Sequence, residues 1–225
     1  MIINNTYFSN NLYLPHAKSS LTDAVKDVPN KVQDYIDDYV PECLIECLGS
    51  LLGEEFIAKL DSEEANGLIA GTEAKWDELL NGKTYTNPKG DEVVWKGIRR
   101  KSSAASEYNR SFLANYVFFF YESNDSETRS AVGSVRLEAA NAIRVSSGRK
   151  AIKAWREFVQ LVQGDDGTST AFFKEGQYGG LGIDYSIASP KINLYKFIED
   201  SNELVADTYA EFKPKVWVQM NQLSI

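Results

Sequence analysis

The residues SFLANYVFFFYE, at positions 111–122, are the stretch that most restricts how this 225-residue chain can fold. Phe112, Tyr116, Phe119 and Phe120 recur at helical spacing, with further apolar residues between them. A surface helix needs an apolar stripe only about 100° wide, and these side chains cover far more of the circumference. The segment is therefore predicted to be a helix buried on several sides. We favour a place in the chain's own core over a contact with a neighbouring copy.

The composition is that of a globular protein with enough apolar residues to form a core. Hydrophobic residues make up 43% and charged residues 25% of the chain, which favours one folded domain. A chain of this size buries about 70% of its unfolded surface, so it needs no disulfide or metal for stability. The net charge of -8 argues against a protein that grips DNA through its phosphates. An acidic wall nevertheless suits a conduit through which DNA passes.

The beginning of the chain and its cysteines favour an intracellular product without cofactors. Met1 to Asn11 lacks the basic residues of an export signal, and no apolar run approaches the roughly 18 residues that span a membrane. Cys43 and Cys47 lie four residues apart in a helical pattern, where a disulfide is geometrically awkward. We expect both cysteines to be reduced, buried and structural, with no bound metal.

Apolar periodicity predicts a mainly α-helical fold: a helical bundle with a small β-hairpin insertion and extended N- and C-terminal arms. Residues 1–20 are predicted to be the N-terminal arm and residues 21–163 the helical core domain. The hairpin is expected near residues 83–99, because Asn-Pro-Lys-Gly at 87–90 is a turn sequence between two short strands. Residues 164–225 are predicted to be a Gly-rich loop followed by a C-terminal extension.

Shorter segments give further predictions. Pro41 is expected to kink its helix without ending it. Helical patterns also run from Ser62 to about Ile69 and from Ser126 to Ala142. Near the C-terminus, Val216 and Val218 begin an alternation with Met220 that is typical of a strand.

The same patterns divide the notable side chains into core and contact residues. The predicted core residues are Tyr35, Ile36, Cys43, Cys47, Phe112, Tyr116, Phe120 and Trp155. The predicted subunit or partner contacts are Tyr7, Phe8, Leu14, Arg144, Arg149, Lys150, Lys153, Arg156, Trp217 and Met220. Five of these contacts form a basic stripe, which in an acidic protein more often meets an acidic protein face than nucleic acid.

Two patterns that resemble chemical sites have simpler explanations. Asp37 and Asp38 could pass for an acid/base or metal-binding pair, but adjacent helical residues point about 100° apart. Together with Asp34 and Glu42 they are better explained as solvated surface. The glycines between 176 and 182 are not followed by Lys-Ser or Lys-Thr, as a phosphate-binding loop requires. We therefore predict that the protein is not an enzyme.

Several short segments of the sequence, taken together, resemble those of a known family. They are IINNTYF near the start, LPHA at 14–17, PECLIECLG at 41–49, ANGL at 65–68, WDELLNGKTY at 76–85, VVWKGI at 93–98, SFLANYVFFFYE at 111–122 and KAWREFV at 153–159. These segments resemble the small neck or head-to-tail connector proteins of tailed bacteriophages, particularly the ring proteins of crAss-like phages and related Bacteroidetes prophage proteins. The likeness covers residues 1–163 and contains no catalytic motif.

The resemblance implies a structural virion protein of the phage neck, made in the host cytoplasm. Copies would form a closed ring, dodecameric in the family, that connects the portal to the tail and lets DNA pass through its lumen. Its partners would be further copies, the portal protein and other neck or tail ring proteins, with no membrane and no sequence-specific contact to DNA. Two alternatives stay open: a metal-dependent hydrolase using Asp and Glu, and a non-virion interaction module whose tails fold on a partner.

Overall fold

The computed structural model describes residues 2–14, 31–100, 111–125, 128–130, 133–135, 147–164 and 192–218. Within these ranges the chain forms six α-helices and two short antiparallel hairpins, which confirms the predicted mainly helical class with a small β-hairpin. The elements are α1 Lys31–Leu48, α2 Ser50–Ile57, α3 Ala74–Asn81, β1 Lys83–Thr86, β2 Glu92–Trp95, α4 Phe112–Asp125, β3 Thr128–Ser130, β4 Gly133–Val135, α5 Ser147–Val162 and α6 Leu194–Leu204.

Helices α1 and α2 fold back on each other at a glycine. Pro41 lies inside α1 without ending it, as predicted. Gly49 separates the helices with φ of 91°, a left-handed conformation that side chains with a Cβ rarely adopt. Within α2, a Cβ on Gly53 would stand 2.7 Å from Cα of Ile45. The two helices therefore approach each other more closely than any larger residue at position 53 would permit.

The first hairpin follows α3 directly and pairs β1 with β2 in antiparallel register. Its turn is held by Asn87, whose Oδ1 accepts from the backbone N–H groups of Lys89 and Asp91 at 3.0 and 2.9 Å. Trp95 donates from Nε1 to the carbonyl of Leu79 at 3.1 Å, which fixes the hairpin against α3. The structure thus confirms a hairpin in the predicted region.

Helix α4, which contains the aromatic stretch, packs against both α1 and α5. Its residues from Phe112 to Phe118 are buried, and Phe119 and Phe120 are partly buried. Phe120 stacks on Tyr39 of α1 with ring centroids 4.5 Å apart, whereas Phe119 packs on Trp155 of α5 at 4.7 Å. The predicted multi-sided burial of this helix arises inside the chain's own core.

Two helical predictions are wrong where the structure describes the chain. The segment predicted as a helix from Ser62 to Ile69 forms turns and one isolated bridge between Leu60 and Leu68, because Gly67 adopts φ of 82°. In the stretch from Ser126 to Ala142, residues 128–130 pair with 133–135 as β3 and β4. Gly133 disfavours a helix at this position, so the chain forms a hairpin there instead. The remaining residues of that stretch lie outside the described ranges.

The last described segment, residues 212–218, is extended without pairing in a sheet. Its backbone N–H groups at Lys213 and Lys215 bond to carbonyls at the end of α1, at 3.2 and 3.0 Å. The strand predicted from Val216 onward is not formed in these residues, and the side of the segment that is buried is the opposite of the one predicted. Trp217 is buried, while Val216 and Val218 are 80% and 78% exposed, because aromatic burial outweighs that of the two valines.

Candidate interaction faces of helices α1 and α5

Three predicted contact residues near the N-terminus belong to the core. Tyr7, Phe8 and Leu14 are all buried against the chain's own helices. The Tyr7 hydroxyl donates to the carbonyl of Arg99 at 2.7 Å, and burial raises the pKa of this tyrosine. The predicted contact role for these three side chains is therefore corrected, because their apolar surface is already covered within one chain.

Trp217 is likewise reassigned from the contacts to the core. It is 5% exposed, and its ring lies edge-on to Phe158, with centroids 4.8 Å apart, and close to Tyr116 at 6.0 Å. Its indole Nε1 donates to the Tyr195 hydroxyl at 3.0 Å. Through Trp217, the C-terminal segment thus packs into the aromatic core of the same chain. Arg144 and Met220, also predicted contacts, lie outside the described residues.

The predicted core residues fall in or at the edge of one cluster. Buried residues of this set are Ile36, Cys43, Cys47, Phe112, Tyr116 and Trp155, and Tyr35 and Phe120 are partly buried against them. The two cysteine sulfurs are 3.9 Å apart, without a disulfide, and one thiol donates a weak hydrogen bond to the other. Burial, followed by the neighbouring Cys47, raises the pKa of Cys43 well above its ordinary value, so this thiol stays neutral and unreactive.

Helix α5 separates an apolar side from a basic side. Its buried residues recur every three or four positions and include Trp155, Phe158 and Val162. The residues between them on the opposite side are exposed and basic: Arg149, Lys150, Lys153 and Arg156. We call these four residues the basic face. Of the predicted contacts, these are the four that the structure places at the surface.

Helix α1 has the same construction with the opposite charge. Ile36, Val40 and Cys47 are among the side chains that it buries in the core. Its exposed side carries Asp34, Asp37, Asp38 and Glu42, which we call the acidic face. These carboxylates spread along the helix surface and do not converge on a common point.

Tyr116 of α4 connects the two charged helices. Its hydroxyl lies 3.1 Å from Oε1 of Glu42 and 3.4 Å from Oε2 of Glu46, both on α1. Its ring packs on Phe158 of α5 with centroids 5.1 Å apart. Burial and then the nearby acidic groups raise the pKa of Tyr116. The helices that carry the acidic and basic faces therefore pack on the same hydrophobic core.

A buried polar cluster joins the first hairpin to α6. The Asp200 carboxylate is buried, its Oδ1 lies 2.6 Å from Nζ of Lys196, and its Oδ2 accepts from the Tyr85 hydroxyl at 2.9 Å. The sequence indicates the ion pair, because Lys196 and Asp200 are four residues apart and so lie on the same side of a helix. The contact to Tyr85 was missed because 115 residues separate it from Asp200. Oδ1 of Asp200 has the Lys196 ion pair but no hydrogen bond with good geometry, and we interpret the cluster as a structural contact between the hairpin and α6.

Neither a metal site nor a membrane-spanning element is found in the described part of the chain. Groups of three or more His, Cys, Asp or Glu side chains that could hold a metal ion do not occur among those residues. None of the helices in the described ranges combines the length and apolar character that a bilayer crossing demands. Comparison of the chain with family models, curated proteins and solved structures found no match.

Proposed function

We propose that this protein is a structural subunit of the neck of a tailed bacteriophage. Copies form a ring that connects the portal to the tail, and DNA passes through the lumen of that ring. The proposal starts from the resemblance of residues 1–163 to connector ring proteins. The observation that carries it is the presence, on one packed core, of an acidic face on α1 and a basic face on α5.

A closed ring of identical subunits needs two unlike patches on each subunit. In a heterologous interface, one patch of a subunit contacts a different patch of the next, and a suitable rotation closes the ring. Two exposed helix faces of opposite charge meet this requirement. A twofold dimer, in contrast, would need a patch that complements itself.

The overall charge supports a conduit for DNA. With a net charge of -8, the surface repels a duplex, so DNA slides past without being held at its phosphates. The carboxylates of α1 also favour assembly over hydrolytic chemistry. Asp37 and Asp38 are neighbours on an exposed helix and point about 100° apart, whereas an acid/base site needs carboxylates that converge in a cleft.

The proposal is tested by the mass and shape of the assembled protein. The full chain is purified and studied by native mass spectrometry and negative-stain electron microscopy, alone and with the portal protein of the same phage. We expect a single oligomeric mass and ring-shaped particles with a central opening in at least one of the two conditions. A monomer in both conditions, up to concentrations of about 100 μM, contradicts the proposal.

A further inference from the structure

We infer that the basic face of α5 docks on the acidic face of α1 of a second copy of this chain. The contact is head to tail, so each copy uses its α5 toward one neighbour and its α1 toward the other. This inference rests on the proposed function in one respect, that the chain assembles with itself. It goes further by naming the two surfaces that meet.

The two faces match in length and spacing. Asp34, Asp38 and Glu42 follow one another at intervals of four residues, which places them over about 12 Å of helix at 1.5 Å per residue. Arg149, Lys153 and Arg156 cover about 10 Å of α5 with a comparable interval. Asp34 and Asp38 on one face and Arg149 and Lys153 on the other are each four residues apart, so these two pairs of opposite charges can meet when the helices lie side by side.

Charges at the centre of both faces lack partners of opposite sign within the described ranges. Lys150 and Lys153 form no ion pair there, and neither do Asp34 and Asp38. Other acidic side chains have a lysine within 4 Å in the same chain: Glu46 with Lys215, Glu73 with Lys75, Glu78 with Lys83 and Glu211 with Lys213. Asp34 and Asp38 of the acidic face are thus available to an external cation.

Both faces lie on the side of their helix that points away from the shared core. On each helix the charged residues lie on the side away from the buried residues, so both faces point outward from the shared core. Helix α4 packs against both α1 and α5, through Phe120 and Phe119 respectively. Lys150 and Lys153 of the basic face therefore lie where a second molecule can reach them.

Charge complementarity favours a second copy over nucleic acid as the occupant of the basic face. A duplex brought to α5 would meet the field of a protein with net charge -8. The acidic face of a second copy is present at the same concentration as the basic face and has matching spacing. The contact is therefore expected to weaken with salt, because the screening length falls from about 10 Å at 0.1 M to about 3 Å at 1 M.

The test uses charge reversal on each face of the full-length chain. The first variant is Lys150→Glu/Lys153→Glu and the second is Asp34→Lys/Asp38→Lys. Each places like charges across the proposed contact, and we expect the dissociation constant for self-association to rise about tenfold or more, measured by sedimentation velocity. All four residues are exposed, so unchanged circular dichroism of each variant is expected and shows that it folds. The second variant should melt at a slightly lower temperature, because Asp34 lies in the first turn of α1, where a lysine opposes the helix dipole.

Mixing the two variants gives the decisive result. In an alternating assembly, the unchanged acidic face of the first variant meets the unchanged basic face of the second. The two reversed faces also meet with opposite charges. An equimolar mixture should therefore regain assemblies that contain both variants, which native mass spectrometry resolves by mass. Failure of the mixture to assemble overturns the inference, because the reversed residues would then bind something other than each other.

Matched controls carry the same change of charge elsewhere on the surface. Lys89→Glu/Lys96→Glu reverses two exposed lysines outside α5, and Glu54→Lys/Glu55→Lys reverses two exposed carboxylates on α2. Both controls should assemble like the unaltered chain. If the chain forms rings that the two face variants leave intact, the inference fails while the proposed function stands. If the unaltered chain never assembles, with or without the portal, both fail.

Discussion

The side-chain amide of Gln163 binds both backbone polar groups of Trp217: Nε2 donates to the Trp217 carbonyl at 2.7 Å, and Oε1 accepts from its N–H at 2.7 Å. A carboxamide in this position replaces the neighbour that a strand would have in a sheet. It satisfies a partly buried backbone where the tail crosses the end of α5. The tail is therefore held by a side chain as well as by the burial of its tryptophan.

Replacement of Gln163 by leucine should weaken the fold. The change removes both hydrogen bonds and leaves the backbone groups of Trp217 without partners, at a cost of about 1–3 kcal/mol. Urea unfolding followed by circular dichroism measures the difference in free energy of unfolding.

Gln160→Leu is the matched control for this prediction. Gln160 lies in the last turn of α5, three residues before Gln163, and its buried Oε1 has no hydrogen-bond partner among the residues that the structure describes. Its loss should be neutral or stabilising. Equal destabilisation by the two substitutions would show that the amide clamp on Trp217 contributes nothing specific.

Gly53→Ala should destabilise the protein although alanine favours helices. Helix propensity alone would stabilise the variant by about 1 kcal/mol. The added Cβ would stand 2.7 Å from Cα of Ile45, however, and overpacking against backbone costs about 1–3 kcal/mol. We expect a net loss, measured by thermal and urea unfolding. Glu55→Ala, at an exposed position of the same helix, should be close to neutral, and a Gly53→Ala variant more stable than the native chain would contradict the predicted clash.

Much of the fold was predictable because local patterns agree with the final packing. The aromatic residues of α4 follow helical spacing, and the 87–90 turn has residues that favour a hairpin. The surface position of the basic residues of α5 followed from the same periodicity. In these segments the nearest neighbours along the chain determine which side is buried.

The remaining features depend on contacts that periodicity does not contain. Tyr7 and Phe8 looked like contact residues because they precede any helical pattern, yet tertiary burial places them in the core. Trp217 faces inward because Gln163 and an aromatic pocket lie where the tail passes. Gln163 lies 54 residues before Trp217 in sequence. Their contact can be recognised only when the packing of the helices is known.

Lys196→Met should destabilise the protein strongly because it leaves the Asp200 carboxylate without its cation. Asp200 is 1% exposed, and Nζ of Lys196 lies 2.6 Å from its Oδ1. Removal of one partner from a buried ion pair costs about 3–5 kcal/mol. Because the Lys196 side chain is partly exposed, solvent screens the pair, and we expect the free energy of unfolding to fall by about 3 kcal/mol. Urea unfolding measures this difference.

Two further variants separate this effect from the loss of a lysine side chain. Lys196→Met combined with Asp200→Asn removes both charges and should recover much of the lost free energy. Lys213→Met breaks the exposed ion pair with Glu211 and should cost at most about 0.5 kcal/mol. If the double variant is as unstable as Lys196→Met alone, the buried charge is not the cause.

Alkaline pH should unfold the protein because several buried or partly buried tyrosines resist ionisation. Burial is the largest cause of the raised pKa of Tyr85, Tyr116, Tyr195 and Tyr209. Below the ordinary tyrosine pKa of about 10, both states are protonated and the contribution to stability is fully present. Above it, the unfolded chain loses protons that the folded chain keeps, so stability falls by about 1.4 kcal/mol per pH unit for each tyrosine.

Urea unfolding at intervals between pH 9 and 11.5 measures this slope, and absorbance near 295 nm follows tyrosinate formation in the same samples. We expect a plateau below about pH 10 and a steep loss above it, with tyrosinate appearing together with unfolding. Tyr85→Phe removes one of these titrating hydroxyls. Its slope should be shallower by about 1.4 kcal/mol per pH unit, although the loss of the bond to Asp200 lowers its stability at neutral pH. Tyrosinate that forms fully while the helices remain intact would contradict this prediction.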